Sequence, residues 1–418
     1  MNIYAIIIFT TIIITYILGI ISEYFNVKNI QIELPKEFED TYSSEKYKLS
    51  QEYLKENTSF GWISGTISLI LTLSFWFLGG FGYLYDYVLS LSDSMIIQGI
   101  IFIGVLSFLN FIVSLPFSIY DTFVIEKKYG FNTTTSKIFI LDIIKSTGIS
   151  LIIGIPLLAL VLYILEYTGS YAWLWGWITL TLFSLFLQYV YPNWIMPIFN
   201  KFTPLEEGNL KNIITEYTRK VNFPMKKLFV MDGSKRSKKS NAFFTGFGKN
   251  KMIVLYDTLM KEHTEDQILG IIAHEVGHYK KKHILLGTAI SIIHTGLLFY
   301  LLSLFLYSEQ LYEAFYVSST PIYAGLIFFF LLYSPIEFIL SIFMQILSRR
   351  NEFQADEFAV QTTGNGMSLV NALKKLSVDN LSNLTPHKFY VFLNYSHPPV
   401  LERIMVIKKM SNFVDISN

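Results

Sequence analysis

The segment 274–278 (HEVGH) carries the residue types of a metal site at a suitable spacing. Residues four apart lie on one face of a helix, so His274 and His278 can bind the same Zn²⁺. Glu275 lies between them and can act as the base that activates water for attack on a peptide bond. The alternative is a pair of histidines on a solvated helix face beside 280–282 (KKK). The position inside a predicted helix favours the metal site.

A third ligand must come from elsewhere in the chain. A catalytic zinc site usually has three protein ligands and one open position, and the absence of cysteine leaves nitrogen and oxygen donors. The candidate is Glu352, which closely follows the last long apolar stretch. Asp356 lies one turn later on the same face and could accept the free N–H of a zinc-bound histidine. The pattern alone leaves open an ordinary juxtamembrane helix whose charges face water.

The elements that position these residues are mainly helices. Apolar residues recur at helical spacing between 264 and 282, and Thr264 is a candidate N-cap. Two strand-like runs, 227–231 and 252–256, precede this helix on either side of a basic, glycine-bearing stretch. The tail from about 349 is predicted to be mostly helical.

The composition indicates a membrane protein. Hydrophobic residues make up 52% of the 418 residues and charged residues only 16%, whereas a soluble domain has about 25% charged residues. The first apolar run, 1–21, has no basic start and no small-residue cleavage site, so we expect a retained transmembrane helix rather than a signal peptide. Seven stretches are long and apolar enough to cross a bilayer. They lie near 3–22, 63–84, 96–119, 138–166, 172–196, 284–306 and 320–346.

Basic residues predict the orientation of these spans. The loops near 85–94, 167–171 and 307–319 contain no Lys or Arg, whereas the other loops and the tail contain nearly all of them. By the positive-inside rule, the N-terminus lies outside, and the long loop 197–283 shares the cytosolic side with the C-terminal tail. The net charge of +1 gives no case for a nucleic-acid partner.

Several further motifs, in order along most of the chain, resemble those of the type I CAAX prenyl endopeptidases. They are 126–132 (EKKYGFN), 197–202 (PIFNKF), 241–248 (NAFFTGFG), 348–350 (SRR), 352–356 (EFQAD), 397–399 (HPP) and 402–404 (ERI). These enzymes are seven-span membrane zinc proteases of the gluzincin kind. The combination is far more specific than the HEVGH pattern alone, and it strengthens the assignments of Glu352 and Asp356.

The resemblance implies a fold class and a division of the chain. The expected fold is an α-helical polytopic membrane protein whose seven transmembrane helices enclose a chamber, with a mainly helical zinc metalloprotease domain that contains a small β-sheet. The first five transmembrane helices and their cytosolic loops would occupy 1–197, and the first part of the metalloprotease domain 198–283. The last two transmembrane helices would occupy 284–346, and the rest of the domain, with the third ligand, 347–418.

The resemblance also implies residue roles. Asn241, with Ala242 and Phe243, is expected at a strand edge that binds the substrate backbone; an extended peptide can add to such an edge, and an amide can both donate and accept. His397 is expected to stabilise the oxyanion, and Arg403 to orient acidic residues of the site. From the residues alone, Asn241 could be a turn asparagine, His397 a loop residue before two prolines, and Arg403 a surface charge.

No catalytic or ligand role is assigned to five polar residues of the apolar stretches or to three further histidines. Polar groups at membrane depth could line the chamber or pair between helices, as Asp142 could with Lys145 on one helix face. They are Asn110, Asp142, Lys145, His294 and Glu337. The histidines predicted not to be ligands are His263, His283 and His387.

The sequence thus predicts a protease with one Zn²⁺ per chain. By resemblance, its partners are the lipid bilayer and a peptide or protein substrate, prenylated or membrane-associated, that is cut near its C-terminus. One alternative is an HtpX-like membrane quality-control protease, although those proteins are shorter and have fewer spans. Another is a non-enzymatic membrane chamber or transporter with a structural metal, which would normally need four protein ligands. The membrane would be the inner membrane in a bacterium or the endoplasmic reticulum membrane in a eukaryote.

Overall fold

A computed structural model describes residues 1–246 and 251–417 of the chain. The last two positions of the NAFFTGFG motif, 247 and 248, therefore lie outside the described residues. The described part is mostly helical and contains a four-stranded mixed sheet.

The N-terminal half consists of helices. They are α1 (Ile3–Lys28), α2 (Ser44–Phe77), α3 (Gly80–Leu91), α4 (Met95–Tyr120), α5 (Glu126–Lys128), α6 (Ser136–Tyr167), α7 (Ala172–Val190) and α8 (Met196–Phe199). A π-helical turn joins α4 to α5 and another joins α7 to α8, so each pair forms one continuous helix.

The C-terminal half combines an α/β region with further long helices. The first elements are β1 (Phe202–Pro204), α9 (Asn209–Lys220), β2 (Met225–Met231), β3 (Ala242–Thr245), β4 (Lys251–Tyr256), α10 (Asp257–Glu262) and α11 (Glu265–Lys280). They are followed by α12 (His283–Phe305), α13 (Glu309–Glu313), α14 (Ile322–Thr363), α15 (Gly366–Asp379), α16 (Lys388–Asn394) and α17 (Val400–Ser417).

Seven helices in the described part of the chain are long and apolar enough to cross a membrane: α1, α2, α4–α5, α6, α7–α8, α12 and α14. Each predicted stretch falls on a different one of them, so the number and order of the spans are confirmed. Large apolar side chains point outward from these helices, such as Ile152, which is 75% exposed, and Ile293, which is 70% exposed. A bilayer would cover this apolar surface, whose exposure to water is unfavourable.

The second span differs from its predicted bounds of 63–84. Helix α2 begins earlier and ends at Phe77, because Gly79 takes a φ of +78°, in the left-handed region that glycine adopts readily. Helix α3 follows, and its buried Phe81 packs edge-on against Phe315 with ring centres 5.2 Å apart. The predicted loop at 85–94 is therefore largely helical. The apolar run conceals this break because both helices are apolar.

The sheet has the strand order β1-β2-β4-β3. Strands β2 and β4 are parallel, and the two outer strands run antiparallel to their neighbours. The predicted runs 227–231 and 252–256 lie within β2 and β4. The outer strands have three and four residues, too few to show a period in the sequence. Strand β3 therefore forms an edge of the sheet, and Asn241 immediately precedes it.

Helix α11 confirms the helix predicted at 264–282. Thr264 caps it, and its hydroxyl and the side chain of Gln267 form a reciprocal capping box. The apolar positions used for the prediction are buried in the core shared by the sheet, α14 and α15. These positions are Ile268, Ile271, Ile272 and Val276.

Arg236 links the segment before β3 to the membrane helices. Its Nε donates to Asp142 Oδ2 at 2.7 Å and its Nη2 to Asp142 Oδ1 at 2.8 Å. Its Nη1 donates to Asn200 Oδ1 at 2.8 Å. Asp142 thus pairs with Arg236 and not with Lys145, whose Nζ donates to the carbonyl oxygen of Ile198 at 2.9 Å. The suggested pairing on one helix face was wrong because the true partner lies 94 residues away.

The last membrane helix continues into the region of the predicted metal ligands. Helix α14 is unbroken from Ile322 to Thr363, so the predicted domain boundary between 346 and 347 lies inside it. It also contacts α12 through His294, whose Nε2 lies 3.1 Å from Glu337 Oε2. This contact is an interhelical pair of the kind expected for polar groups in membrane helices.

Candidate active site

Two helices carry the predicted ligands, and a glycine lets these two helices approach closely. Helix α11 carries His274 and His278, and α14 carries Glu352. A Cβ atom at Gly277 would lie 2.9 Å from the carbonyl oxygen of Ala355 and 3.0 Å from its Cα. The glycine of HEVGH is therefore where the two backbones meet, and a side chain there would separate the histidines from Glu352.

Three donor atoms converge at this contact. The Nε2 atoms of His274 and His278 are 3.1 Å apart. Glu352 Oε2 lies 3.3 Å from His274 Nε2, and Glu352 Oε1 lies 3.2 Å from His278 Nε2. The sequence thus correctly identified three residues that come together, although 74 positions separate His278 from Glu352.

The donor set fits a divalent metal ion. Donors about 2.0–2.1 Å from a tetrahedral Zn²⁺ lie about 3.3 Å from one another, close to the separations here. The surroundings hold three carboxylates, those of Glu275, Glu352 and Asp356, and one guanidinium, that of Arg403. When all four groups are ionised, the carboxylates are in excess by two charges, which a divalent cation would neutralise.

Asp356 and Arg403 hold His274 in one orientation. His274 Nδ1 lies 2.8 Å from Asp356 Oδ1, which suits an N–H donated to the carboxylate and leaves the Nε2 lone pair towards Glu352. Arg403 binds the same carboxylate through Nε at 2.8 Å and Nη2 at 2.6 Å, and its Nη1 lies 3.3 Å from Glu352 Oε2. All four side chains are buried. Arg403 is therefore an internal residue of the site, as the resemblance implied.

His278 has an equivalent partner that the sequence analysis did not identify. His278 Nδ1 lies 3.1 Å from His283 Nδ1, and His283 Nε2 lies 2.9 Å from Gln354 Oε1. When His283 Nε2 donates its N–H to Gln354 and His278 Nδ1 donates its N–H to His283 Nδ1, the His278 Nε2 lone pair stays free. His283, which the sequence analysis did not predict to be a ligand, lies outside the converging donor group and contacts one member of it. The left-handed backbone of Lys282, with φ +62°, turns the chain so that this contact forms.

The other two histidines predicted not to be ligands lie outside the group. His263 is buried. His387 Nδ1 accepts from the backbone N–H of Phe389 and so caps α16.

Asp356→Asn tests the contact with His274. The amide keeps the shape but removes the charge that holds the imidazole and Arg403, so we expect roughly 10- to 100-fold weaker metal binding. Competition with a chelator of known affinity measures the change. Glu357→Gln, on the same helix but outside the site, is the control and should bind metal normally. Equal affinity in the two variants would contradict this role of Asp356.

A cleft of about 600 Å³ opens beside the three donors. Glu275 and His397 line it together with Asn241 and Ala242. Burial raises the pKa of Glu275, which makes its carboxylate a stronger base. His397 Nε2 lies 3.5 Å from Glu352 Oε1, and its Nδ1 lies 3.0 Å from the Ser396 hydroxyl. The cleft thus brings together a base, a possible hydrogen-bond donor and a sheet edge.

The residues expected to bind substrate divide between the two faces of β3. Ala242 and Phe244 face the cleft, whereas Phe243 packs on the other face against Tyr256, with ring centres 6.3 Å apart. The Phe243 side chain therefore lies outside the cleft. Its backbone faces β4, because Asn241 O accepts from Tyr256 N–H and the bonded positions of an antiparallel pair alternate. Asn241 is exposed, and its Oδ1 accepts from the N–H of Ala242 at 2.8 Å.

Two family models match the chain. The one described as CAAX prenyl protease N-terminal, five membrane helices, matches residues 23–201. The one for peptidase family M48 matches residues 204–411, which include α11 and Glu352.

Similar proteins match nearly the whole length of the chain. The CAAX prenyl protease 1 homolog of Arabidopsis thaliana is 37% identical over 386 residues, covering 90% of each chain. The Homo sapiens homolog is 33% identical over 423 residues, covering 90% of this chain and 89% of that one. The crystal structure of S. mikatae Ste24p superposes with a TM-score of 0.92 at 32% identity, covering 97% of this chain and 99% of that one. The chain therefore belongs to peptidase family M48 and is a membrane metalloprotease of the CAAX prenyl protease type.

Proposed function

We propose that this metalloprotease is a zinc endopeptidase, in which His274, His278 and Glu352 hold one Zn²⁺ per chain. The observation that carries the proposal is the convergence of their donor atoms at 3.1–3.3 Å beside Glu275 in an open cleft. No further histidine or acidic residue joins this donor group among the residues that the structure describes. Three ligands and an open side suit a catalytic metal better than a structural one, which disfavours a non-enzymatic chamber.

Three polar residues of the cleft, Glu275, His397 and Asn241, have parts in the proposed reaction beside the metal ligands. A bound Zn²⁺ supplies a Lewis acid that polarises the scissile carbonyl and acidifies water. Glu275 accepts a proton from the attacking water and passes it to the leaving amine. His397 donates an N–H to the developing oxyanion. Asn241 and the outer edge of β3, at the backbone of Ala242, align the substrate as an added strand.

We further propose that the substrate is a prenylated protein ending in C-a-a-X, from which the last three residues are removed. The names of the relatives support this substrate class. The apolar wall of the cleft also supports it, because aliphatic side chains would pack there. This wall is formed by Leu259, Ile271, Leu369, Leu373 and Leu376. An HtpX-like quality-control role is less well supported, since the chain matches CAAX prenyl protease relatives over about nine-tenths of both lengths.

The proposed orientation follows the basic residues. The active-site elements and the C-terminal tail lie in the cytosol, and the N-terminus lies on the opposite side. A lipid-anchored substrate in the cytosolic leaflet would then be on the same side as the cleft.

The substrate proposal can be tested with purified protein in detergent or vesicles. We expect efficient cleavage of a prenylated C-a-a-X peptide and much slower cleavage of the same peptide without its lipid, because the lipid holds the peptide at the membrane. Mass spectrometry of the products identifies the bond that is cut. Chelation should stop the reaction, and added Zn²⁺ should restore it. Equal rates on both peptides, with preferential cleavage of a misfolded membrane protein, would favour the quality-control role.

A further inference from the structure

The loop that carries His397 has little support of its own. The His397 side chain is 65% exposed, and its contacts are the neighbouring Ser396 hydroxyl and Glu352. A donor to an oxyanion must be held within a fraction of an ångström of its position to be effective. Other residues must therefore fix the backbone on which His397 lies.

The sequence around His397 leaves backbone carbonyls without helical partners. Helix α16 ends at Asn394, and two prolines, Pro398 and Pro399, follow four residues after Asn394 and Tyr395. Proline has no N–H, so neither can donate the helical hydrogen bond to the carbonyl four residues earlier. The end of α16 needs donors from outside.

Helix α14 supplies donors to this segment. Arg349 Nη1 donates to the carbonyl oxygen of Tyr395, to which Pro399 cannot donate, and at 3.1 Å to that of Val391, which also accepts the N–H of Tyr395. One turn earlier, Gln345 Nε2 donates to the carbonyl oxygen of Leu393 at 2.8 Å. These are side chain-to-backbone contacts, and one of them lies two residues before His397.

The same stripe of α14 carries the metal-site residues. Gln345, Arg349, Glu352 and Asp356 follow the i, i+4, i+7, i+11 spacing of one helix face. Beyond the prolines, Arg403 binds Asp356, so both ends of the His397 segment are attached to this stripe. The relative positions of Glu352 and His397 are thus set by a single rigid element.

We propose that Arg349 is a positioning residue that holds His397 over the active site. The inference rests on the proposed role of His397 as the oxyanion donor. Arg349 touches neither the cleft nor the converging donor atoms. Its guanidinium acts through the backbone of Val391 and Tyr395, and it fixes where the imidazole lies when the transition state forms. This positioning role distinguishes Arg349, the first arginine of the SRR motif, from its exposed neighbour Arg350.

A double-mutant cycle with His397→Gln tests this proposal. His397→Gln should lower kcat by about 10²- to 10³-fold, as for loss of one oxyanion donor. Arg349→Gln should lower kcat by roughly 10- to 100-fold, as for a small misplacement of a reacting group, with KM nearly unchanged. Added to His397→Gln, Arg349→Gln should cost less than about twofold more, because the group it positions is already gone. Arg350→Gln should match the unchanged protein.

Metal content and thermal unfolding, measured on every variant, separate positioning from general damage. Both should be unchanged in Arg349→Gln. Where that variant loses metal or unfolds early, Arg349→Lys, which keeps one charged donor, is carried through the same cycle and should show a smaller, equally non-additive loss. Full activity in the Arg349 variant, or the same loss with and without His397, would overturn the positioning role. Full activity in His397→Gln alone would instead overturn the proposed role of His397.

Discussion

Glu275→Gln is expected to lower kcat for peptide hydrolysis by about 10²- to 10⁴-fold while the bound metal stays in place. The amide has nearly the same shape as the carboxylate but cannot accept the proton of the attacking water. Glu275 is separate from the converging donor atoms of His274, His278 and Glu352, so its replacement leaves all three metal ligands in place. The measurement pairs a steady-state rate on the prenylated peptide with elemental analysis of the same sample.

A neighbouring acid on the same helix provides the matched control. Asp266 lies in the first turn of α11, is exposed and is remote from the cleft. Asp266→Asn removes one negative charge from the same element, so it should hydrolyse the peptide at the normal rate. A Glu275→Gln protein that holds metal and cleaves at the normal rate would show that another group is the base.

Helix α11 could be predicted because the sequence features that indicate it are local. The apolar spacing of α11, its Thr264 cap and the His274–His278 interval all lie within one stretch of sequence. A helix of known period then fixes which side chains share a face. The seven spans were predictable for a similar reason, since length and hydropathy alone set them.

The topology made Glu352 a candidate, and the family resemblance strengthened its assignment. Hydropathy indicated that two spans separate it from His278, and hence that both lie on one side of the membrane. The structure adds a close approach of α11 and α14 at Gly277, with its Cβ position 2.9 Å from the carbonyl oxygen of Ala355. Such an approach depends on how two helices distant in sequence pack, which a single sequence does not encode in any local pattern.

The contacts that the sequence did not predict are long-range or depend on irregular backbone. The Asp142–Arg236 pair joins a membrane helix to the segment before β3, and the bonds from Arg349 reach a backbone more than 40 residues later. The contact of His283 with His278 requires the left-handed turn at Lys282, a conformation that lysine seldom adopts. Charge and hydropathy patterns do not carry such information.

Replacement of the third predicted ligand is the second change for which we expect a large effect. Glu352→Ala is expected to remove the metal, because only two imidazoles would then remain and the site would have one negative charge less to attract a divalent cation. Arg403 keeps its two hydrogen bonds to Asp356, so the buried guanidinium retains its pairing and the fold should persist. Elemental analysis should find roughly one Zn²⁺ in each unchanged chain and far less than one in the variant.

Thermal unfolding gives a readout for this variant that does not depend on activity. A ligand that binds only the folded state raises its stability in proportion to the logarithm of its concentration over the dissociation constant. Added Zn²⁺ should therefore raise the Tm of the metal-stripped unchanged protein and leave that of Glu352→Ala nearly constant. Glu357→Ala, five residues later on α14 and outside the cleft, should respond to Zn²⁺ like the unchanged protein. Full zinc occupancy in Glu352→Ala would exclude Glu352 as a ligand, and the search for the third donor would then turn to His397, whose Nε2 lies 3.5 Å from Glu352 Oε1.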